Sequence, residues 1–318
     1  MFCSIIVPFH NSKKTIKRCL NSAFHQIGDI KYEIILINDF SNDGSDIIVK
    51  NFIKNKNNFI YICSKKKTIG PGYARNLGIK GSSGKYLYFL DSDDYLKKNS
   101  LKILFDQVKK NPDIDLICNN FYVNDILGNF KKKIRFDLKN YYLEKNNIIK
   151  NFFFLSIIPQ VISNLIKKDL IVKNSLKFEN GFFEDIFFFF RILYFAKKID
   201  VNFSKIYLKN NRPNSIVNSL STIHIINSFN SYYKCYKFLI KKKYSLNQNY
   251  FDKIFMIAIV GQVAVFLKRI EFLKINIKDV SILHGHLRRI YFMFKKRLNF
   301  SYKFKTKKDI IAKKFLYN

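Results

Sequence analysis

Over its first 120 residues the sequence alternates short apolar runs with stretches of helical period, and this alternation limits the fold more than any other feature. Residues 3–8 form a β-rich run. Residues 12–26 carry Ile16, Leu20 and Ala23 at helical spacing behind Asn11, which stands where a cap is expected. Further apolar runs at 33–37, 59–63, 85–90 and 114–119 are separated by helical patterns at 45–54, 70–79 and 99–110, the middle one opened by Gly70-Pro71-Gly72. Strands alternating with helices of about 10–15 residues predict an α/β fold, a Rossmann-like, mostly parallel sheet with helices on both faces. Such sheets bind ligands beyond the carboxyl ends of their strands. Two of those ends carry acids here: Asp39 after the second run, and Asp91, Asp93 and Asp94 after the fourth.

Three carboxylates within Asp91-Ser92-Asp93-Asp94 repel one another. A divalent cation would resolve the repulsion, since Mg²⁺ and Mn²⁺ take one or two carboxylates plus substrate phosphates. The competing reading is a solvated turn in which Asp94 caps the next helix. A second acidic pair, Glu184-Asp185, sits inside the aromatic run 182–190. It reads either as solvent-facing acids at a helix start, or as carboxylates desolvated by the phenylalanines around them.

The ordered segments SIIVPFHNS, YEIILINDFSNDGS, GPGYARNLGIKGSSGKYLYFLDSDDYL and GFFEDIFFFFRIL, spread over residues 3 to about 215, resemble the family 2 glycosyltransferases. These are inverting, nucleotide-sugar-dependent enzymes of the GT-A fold. The resemblance implies that Asp39 accepts a hydrogen bond from a uracil ring lined by Pro8 and Phe9, and that Arg75 shapes the nucleotide pocket. It implies that Asp91, Ser92 and Asp93 form the DXD motif, with Asp91 near ribose and metal and Asp93 on a Mn²⁺ or Mg²⁺ cofactor that bridges the diphosphate. Asp185 takes the place of the catalytic base, with Glu184 as the alternative. Tyr207 to Ser215 resembles a closing Y-x-x-R-x-x-S element whose Arg212 either touches the diphosphate or is one more basic surface residue.

The implied reaction moves a hexose or N-acetylhexosamine from a UDP-sugar to a glycan or lipid-linked glycan, in lipooligosaccharide, capsule or related surface polysaccharide synthesis. Several positions depart from the family pattern. Asn38-Asp39-Phe40-Ser41 stands for the usual Asp-Asp-Gly-Ser, Lys13 for a common acid, and Ile162 and Asn164 for the usual tryptophan and lysine.

Charge divides the chain. Its formal net charge is +34, and the last 88 residues, with 21 basic and 4 acidic side chains, carry +17 of it. The excess reads as a surface drawn to phosphate, or as codon drift toward Lys, Asn, Ile, Phe and Tyr. Residues 286–297 mix cations with aromatics as interfacial helices do. The expected organisation is a catalytic domain at 1–220, with a nucleotide-binding half at 1–120 and an acceptor-side half at 121–220, then a basic helical region at 221–318. That region either docks on the anionic inner face of the plasma membrane, making the protein cytoplasmic and peripheral, or packs as a soluble bundle.

The other function classes fare less well. Basic and aromatic interleaving would suit nucleic acid, yet no helix-turn-helix, zinc or RNP-type pattern is present, and nucleic acid is not an expected partner. A sugar nucleotidyltransferase is disfavoured because residues 1–15 contain no glycine. Five cysteines without CxxC spacing suggest neither a disulfide framework nor a zinc site. The apolar stretch 254–267 falls short of the ~20 residues that span a bilayer. His284 and His286 read as surface residues, and His224 as a candidate additional metal ligand.

Overall fold

The computed structural model describes residues 1–66, 70–124, 130–133, 145–153, 160–210 and 222–243, together with 255, 285 and 288. The chain divides into two compact units, Met1–Leu143 with Pro159–Arg212, and Glu144–Ile158 with Pro213–Asn318. The second unit thus takes in a segment that the sequence reading assigns to the acceptor-side half.

In the first unit, β1 (Cys3–Phe9), β2 (Tyr32–Asn38), β3 (Phe59–Cys63) and β4 (Tyr86–Phe89) alternate with α1 (Ile16–Phe24), α2 (Ser45–Ile53) and α3 (Gly72–Gly81). β1 pairs in parallel with both β2 and β4, and β2 with β3. β1, β2 and β4 are buried on both faces, so they run almost continuously apolar instead of alternating, while β3 at the sheet edge is half-buried. After β5 (Tyr95–Leu96) and α4 (Ser100–Lys110) come β6 (Leu116–Asn124), β7 (Phe130–Lys133), β8 (Leu165–Lys167), α6 (Lys168–Lys173), α7 (Glu184–Phe195) and β9 (Ile199–Asn210). The sheet order is β3-β2-β1-β4-β8-β6-β9-β5, with β7 on β6. β6 and β9 are parallel, whereas β8, β7 and β5 pair antiparallel. The expected α/β sheet is present, and its parallel character is concentrated in the half that the sequence marks.

One expected cap is replaced. Asn11 has φ +47° and its Oδ1 accepts the Asn42 N–H at 2.9 Å, so it ties two loops together. α1 starts only at Ile16, after Thr15.

Glu33 secures the opposite end of the sheet. It is 5% exposed and accepts hydrogen bonds from Ser4 Oγ at 2.5 Å, the Ser83 N–H at 2.6 Å and Ser83 Oγ at 2.8 Å. Burial alone would raise its pKa, but the Ser4, Ser83 and Gly84 donors hold it below the usual value. A depressed folded pKa means stability that is present above the unfolded value of about 4.5 and lost as pH falls through the folded one. Glu33→Gln is therefore expected to lose about 1–3 kcal/mol at neutral pH. In urea unfolding, its deficit against the wild-type protein should shrink as pH drops below about 4.5.

The second unit contains α5 (Lys145–Phe153) and α8 (Thr222–Lys241). Its described core is aromatic: Phe152 meets Tyr232 at 5.6 Å between ring centroids, and Tyr236 stacks on Phe255 at 4.7 Å. Among the described residues no helix is long and apolar enough to cross a membrane. The segments 254–267 and 286–297 lie almost wholly outside the described residues.

Candidate active site

Strand growth reverses between β1 and β4, which places the ligand crevice at their carboxyl ends. At the end of β1, Pro8 is buried and in register with Ile37, and Phe9 is 1% exposed. The Asp39 N–H donates to the Phe9 carbonyl at 2.9 Å. Asp39 itself follows β2 with its Oδ1 buried and, among the described residues, without a hydrogen-bond partner. Burial pushes its pKa up, with His10 and Ser64 opposing. A buried carboxylate oxygen in this state is an acceptor that a ligand N–H would complete. His10 stands beside it, its Nδ1 donating to the Asp39 carbonyl at 2.6 Å. Sequence reasoning counts His10 among scattered histidines; the available signal was its position directly after the first strand.

The 38–44 turn accommodates its unusual residues in specific ways. Asn38 Oδ1 accepts the Ser41 N–H at 2.9 Å, while its Nδ2 donates to Asp46 Oδ1 at 3.0 Å and to Tyr61 Oη at 3.1 Å. Phe40 adopts φ +58°, the left-handed conformation that the family's glycine reaches without strain. For Lys13 it is the backbone that the turn uses, its N–H donating to Asp43 Oδ2 at 2.9 Å. Asn38→Asp, which restores the family's acid, keeps the Ser41 contact but sets a second carboxylate against Asp46. It is expected to lower stability by about 1 kcal/mol in urea unfolding at pH 7.

Past β4, one carboxylate oxygen from each of Asp91, Asp93 and Asp94 lies within 4.8 Å of the others, the one such cluster among the described residues. The three are not equivalent. Asp94 is 1% exposed and accepts from Tyr207 Oη at 2.5 Å and from the Asn210 N–H at 2.7 Å. Burial, chiefly, pushes its pKa up to about 8, against Lys209 and with help from Asp93 and Asp91. Asp94 is thus neither solvated nor a helix cap, and Tyr207 is a clamp beneath the turn. Asp91 and Asp93 are half-buried, and as hard oxygen donors they suit Mg²⁺ or Mn²⁺. Ser92 Oγ lies 2.7 Å from Ser12 Oγ, linking the turn to the loop after β1. Arg18 donates to the Asp93 carbonyl at 3.0 Å.

α3 joins this turn to α7. Arg75, 4% exposed, donates through Nη2 to Asp91 Oδ1 at 2.9 Å and through Nη1 to Glu184 Oε1. The start of α3 fits the 178–184 segment without spare room. A side chain on Gly70 (φ +76°) would overlap the Gly181 carbonyl oxygen, and one on Gly72 would come within 2.6 Å of the Glu179 oxygen. Asn76 bonds Phe178 in both directions, its Nδ2 to the carbonyl at 2.8 Å and its Oδ1 from the N–H at 2.9 Å. Phe178 in turn stacks on Phe188 at 3.8 Å.

Glu184, at the start of α7, is buried against Arg75. Burial, first, brings its pKa to about 7, with Arg75 opposing and Asp185 adding to the rise. Asp185, in the same first turn, is half-buried. The geometry therefore gives the two acids different circumstances: Glu184 is engaged by a guanidinium inside the fold, and Asp185 reaches partly into solvent. Ile162 and Asn164 are buried, and Asn164 Nδ2 donates to the Gln160 carbonyl at 3.0 Å. Arg212 lies outside the described residues. His224 is on α8 of the second unit and is no member of the acidic cluster.

Comparison with known proteins bears on the family and the fold. Residues 4–170 match the model of Glycosyl transferase family 2. The cholesterol galactosyltransferase of Borreliella burgdorferi is 31% identical over 230 residues, 70% of this chain and 63% of that protein. The poly(ribitol-phosphate) beta-N-acetylglucosaminyltransferase TarP of Staphylococcus aureus is 33% identical over 178 residues, 55% of this chain and 52% of TarP. In both cases the match spans less than two thirds of the relative. Among solved structures, S. aureus TarS 1-349 in complex with UDP-GlcNAc superposes with a TM-score of 0.67 at 20% identity. The match covers 96% of this chain and 94% of the other. At that identity the likeness concerns the fold.

Proposed function

Because this chain belongs to glycosyl transferase family 2, we propose that it transfers a hexose or N-acetylhexosamine from a UDP-sugar to a hydroxyl of a cell-surface glycan, with inversion. The observation that carries the reading is the pairing of two features across the β1/β4 crevice. One is a buried, unpartnered Asp39 Oδ1, and the other is the Asp91–Asp94 turn. The first suits a base N–H of uracil and the second a metal-bound diphosphate. TarS, which shares the fold, binds UDP-GlcNAc, and the relatives act on cholesterol and on poly(ribitol phosphate).

In this reading Asp39 holds the base, with Pro8, Phe9 and His10 around it, and Asp91 and Asp93 hold Mn²⁺ or Mg²⁺. The bound cation would stabilise the diphosphate's charge as it leaves. Asp185 takes the proton of the acceptor hydroxyl as that oxygen attacks the anomeric carbon from the side opposite the diphosphate. Glu184, fixed by Arg75, keeps the first turn of α7 in place. The acceptor belongs to lipooligosaccharide, capsule or a related surface polymer, and the basic region after residue 220 brings the protein to the inner membrane face where lipid-linked acceptors are found.

The test is a calorimetric titration of UDP into the full chain with Mn²⁺ and again with EDTA. Micromolar binding that EDTA removes supports the proposal. A folded protein that binds UDP in neither condition overturns it.

A further inference from the structure

The acidic turn offers less to a cation than its composition suggests. Asp94 already receives two hydrogen bonds, from Tyr207 and from the Asn210 N–H. Asp91 is paired with Arg75 at 2.9 Å. That guanidinium is held in place from several sides: it is 4% exposed, ion-paired to the equally buried Glu184, and 5.5 Å from the Phe178 ring. Its helix is clamped by Asn76 and by the close approach of Gly70 and Gly72 to the 179–181 backbone. Arg75 therefore does not swing aside easily. A divalent ion ligated by Asp91 would sit within about 5 Å of a fixed positive charge.

We propose that Arg75 is a built-in counter-cation that keeps the acidic turn from binding a divalent metal by itself, so that metal is held only together with the donor's diphosphate. The inference rests on the nucleotide-sugar reading of the site and extends it to the order and coupling of binding. Two phosphates add the negative charge that Arg75 has withdrawn from Asp91, and the metal then has enough anionic oxygen around it. By linkage, UDP and metal must raise each other's affinity by the same factor. Arg75 is a positioning residue in this scheme, acting through Asp91.

A neutral donor to a ligating carboxylate normally strengthens a metal site, and its loss costs about 10–100-fold in affinity. The guanidinium is different because it carries full charge. Removing it frees Asp91 from its ion pair, so the two roles predict opposite signs.

The experiment measures binding of Mn²⁺ alone, and then of Mn²⁺ with UDP, to the full chain. The proteins compared are wild type, Arg75→Gln, Glu184→Gln and Arg75→Gln/Glu184→Gln. The double variant removes both members of the buried pair, so folding is preserved if the single arginine variant fails. The wild-type protein should bind Mn²⁺ alone weakly and at least tenfold more tightly with UDP. Arg75→Gln and the double variant should bind Mn²⁺ alone about tenfold or more tightly than wild type, with a smaller gain from UDP. Glu184→Gln, which leaves Arg75 to Asp91, should bind Mn²⁺ alone more weakly still.

A fold damaged by substitution does not gain metal affinity, so the increase separates this role from a merely structural one. Unchanged or weaker Mn²⁺ binding in the double variant overturns the inference, as does tight Mn²⁺ binding by the wild type without UDP. Failure of the wild type to bind UDP with Mn²⁺ instead overturns the nucleotide-sugar reading, a separate outcome.

Discussion

Asp185→Asn is expected to bind UDP with Mn²⁺ as the wild-type protein does and to lose sugar transfer by about 10²–10⁴-fold, the range for a positioned general base. Asparagine keeps the shape of the side chain but cannot take a proton from an attacking hydroxyl. The effect should fall on kcat with donor KM unchanged, because a general base acts only as the acceptor oxygen loses its proton. Steady-state transfer to a sugar acceptor, beside UDP calorimetry on the same sample, measures both halves. Transfer at the wild-type rate would move the role to another group, with Glu184 next in line. Glu184 is the weaker candidate on geometry: its carboxylate is spent on Arg75, 109 residues away in sequence.

Asp93→Ala has the second large effect, on binding instead of turnover. With Asp94 committed to Tyr207 and Asn210, and Asp91 shared with Arg75, Asp93 has no substitute in the turn. Loss of the side chain should abolish metal-dependent UDP binding, a drop of about 100-fold or more on the scale of a lost ligand. The thermal transition should stay within a few degrees, since the hydrogen bond from Arg18 goes to the backbone carbonyl of residue 93, which alanine retains. Calorimetry with and without EDTA reads the first quantity and a melting curve the second. UDP affinity that remains high and EDTA-sensitive in Asp93→Ala would place the cation elsewhere.

What could be read from the chain depended on how far apart the interacting residues are. The β1–β4 half was legible because each strand is one contiguous apolar run and each helix between them announces itself by period. The short strands β5 and β8 carry no such signal; they exist because Tyr95 and Leu96 find Leu208 and Tyr207, and because Leu165 finds Tyr88 and Ile117. The acids of the site were visible as acids at strand ends. Their separate circumstances were not. Nothing local distinguishes Asp94 from Asp93, and the difference comes from partners more than a hundred residues later. Arg75 reads in sequence as a nucleotide-pocket residue, whereas its burial between Asp91 and Glu184 required the packing of α3 on the 178–184 segment.

The clamp on Asp94 also orders events during synthesis. Tyr207 and Asn210 lie 113 and 116 residues after Asp94, and β5, directly behind the turn, pairs with β9 alone among the described strands. A ribosome that has delivered β1 to β4 has released a chain whose acidic turn still lacks its clamp. Only when residue 210 has cleared the exit tunnel can that turn close. A nascent chain arrested before this point would carry Asp94 without the Tyr207 and Asn210 hydrogen bonds, and the turn would take its final form in one late step.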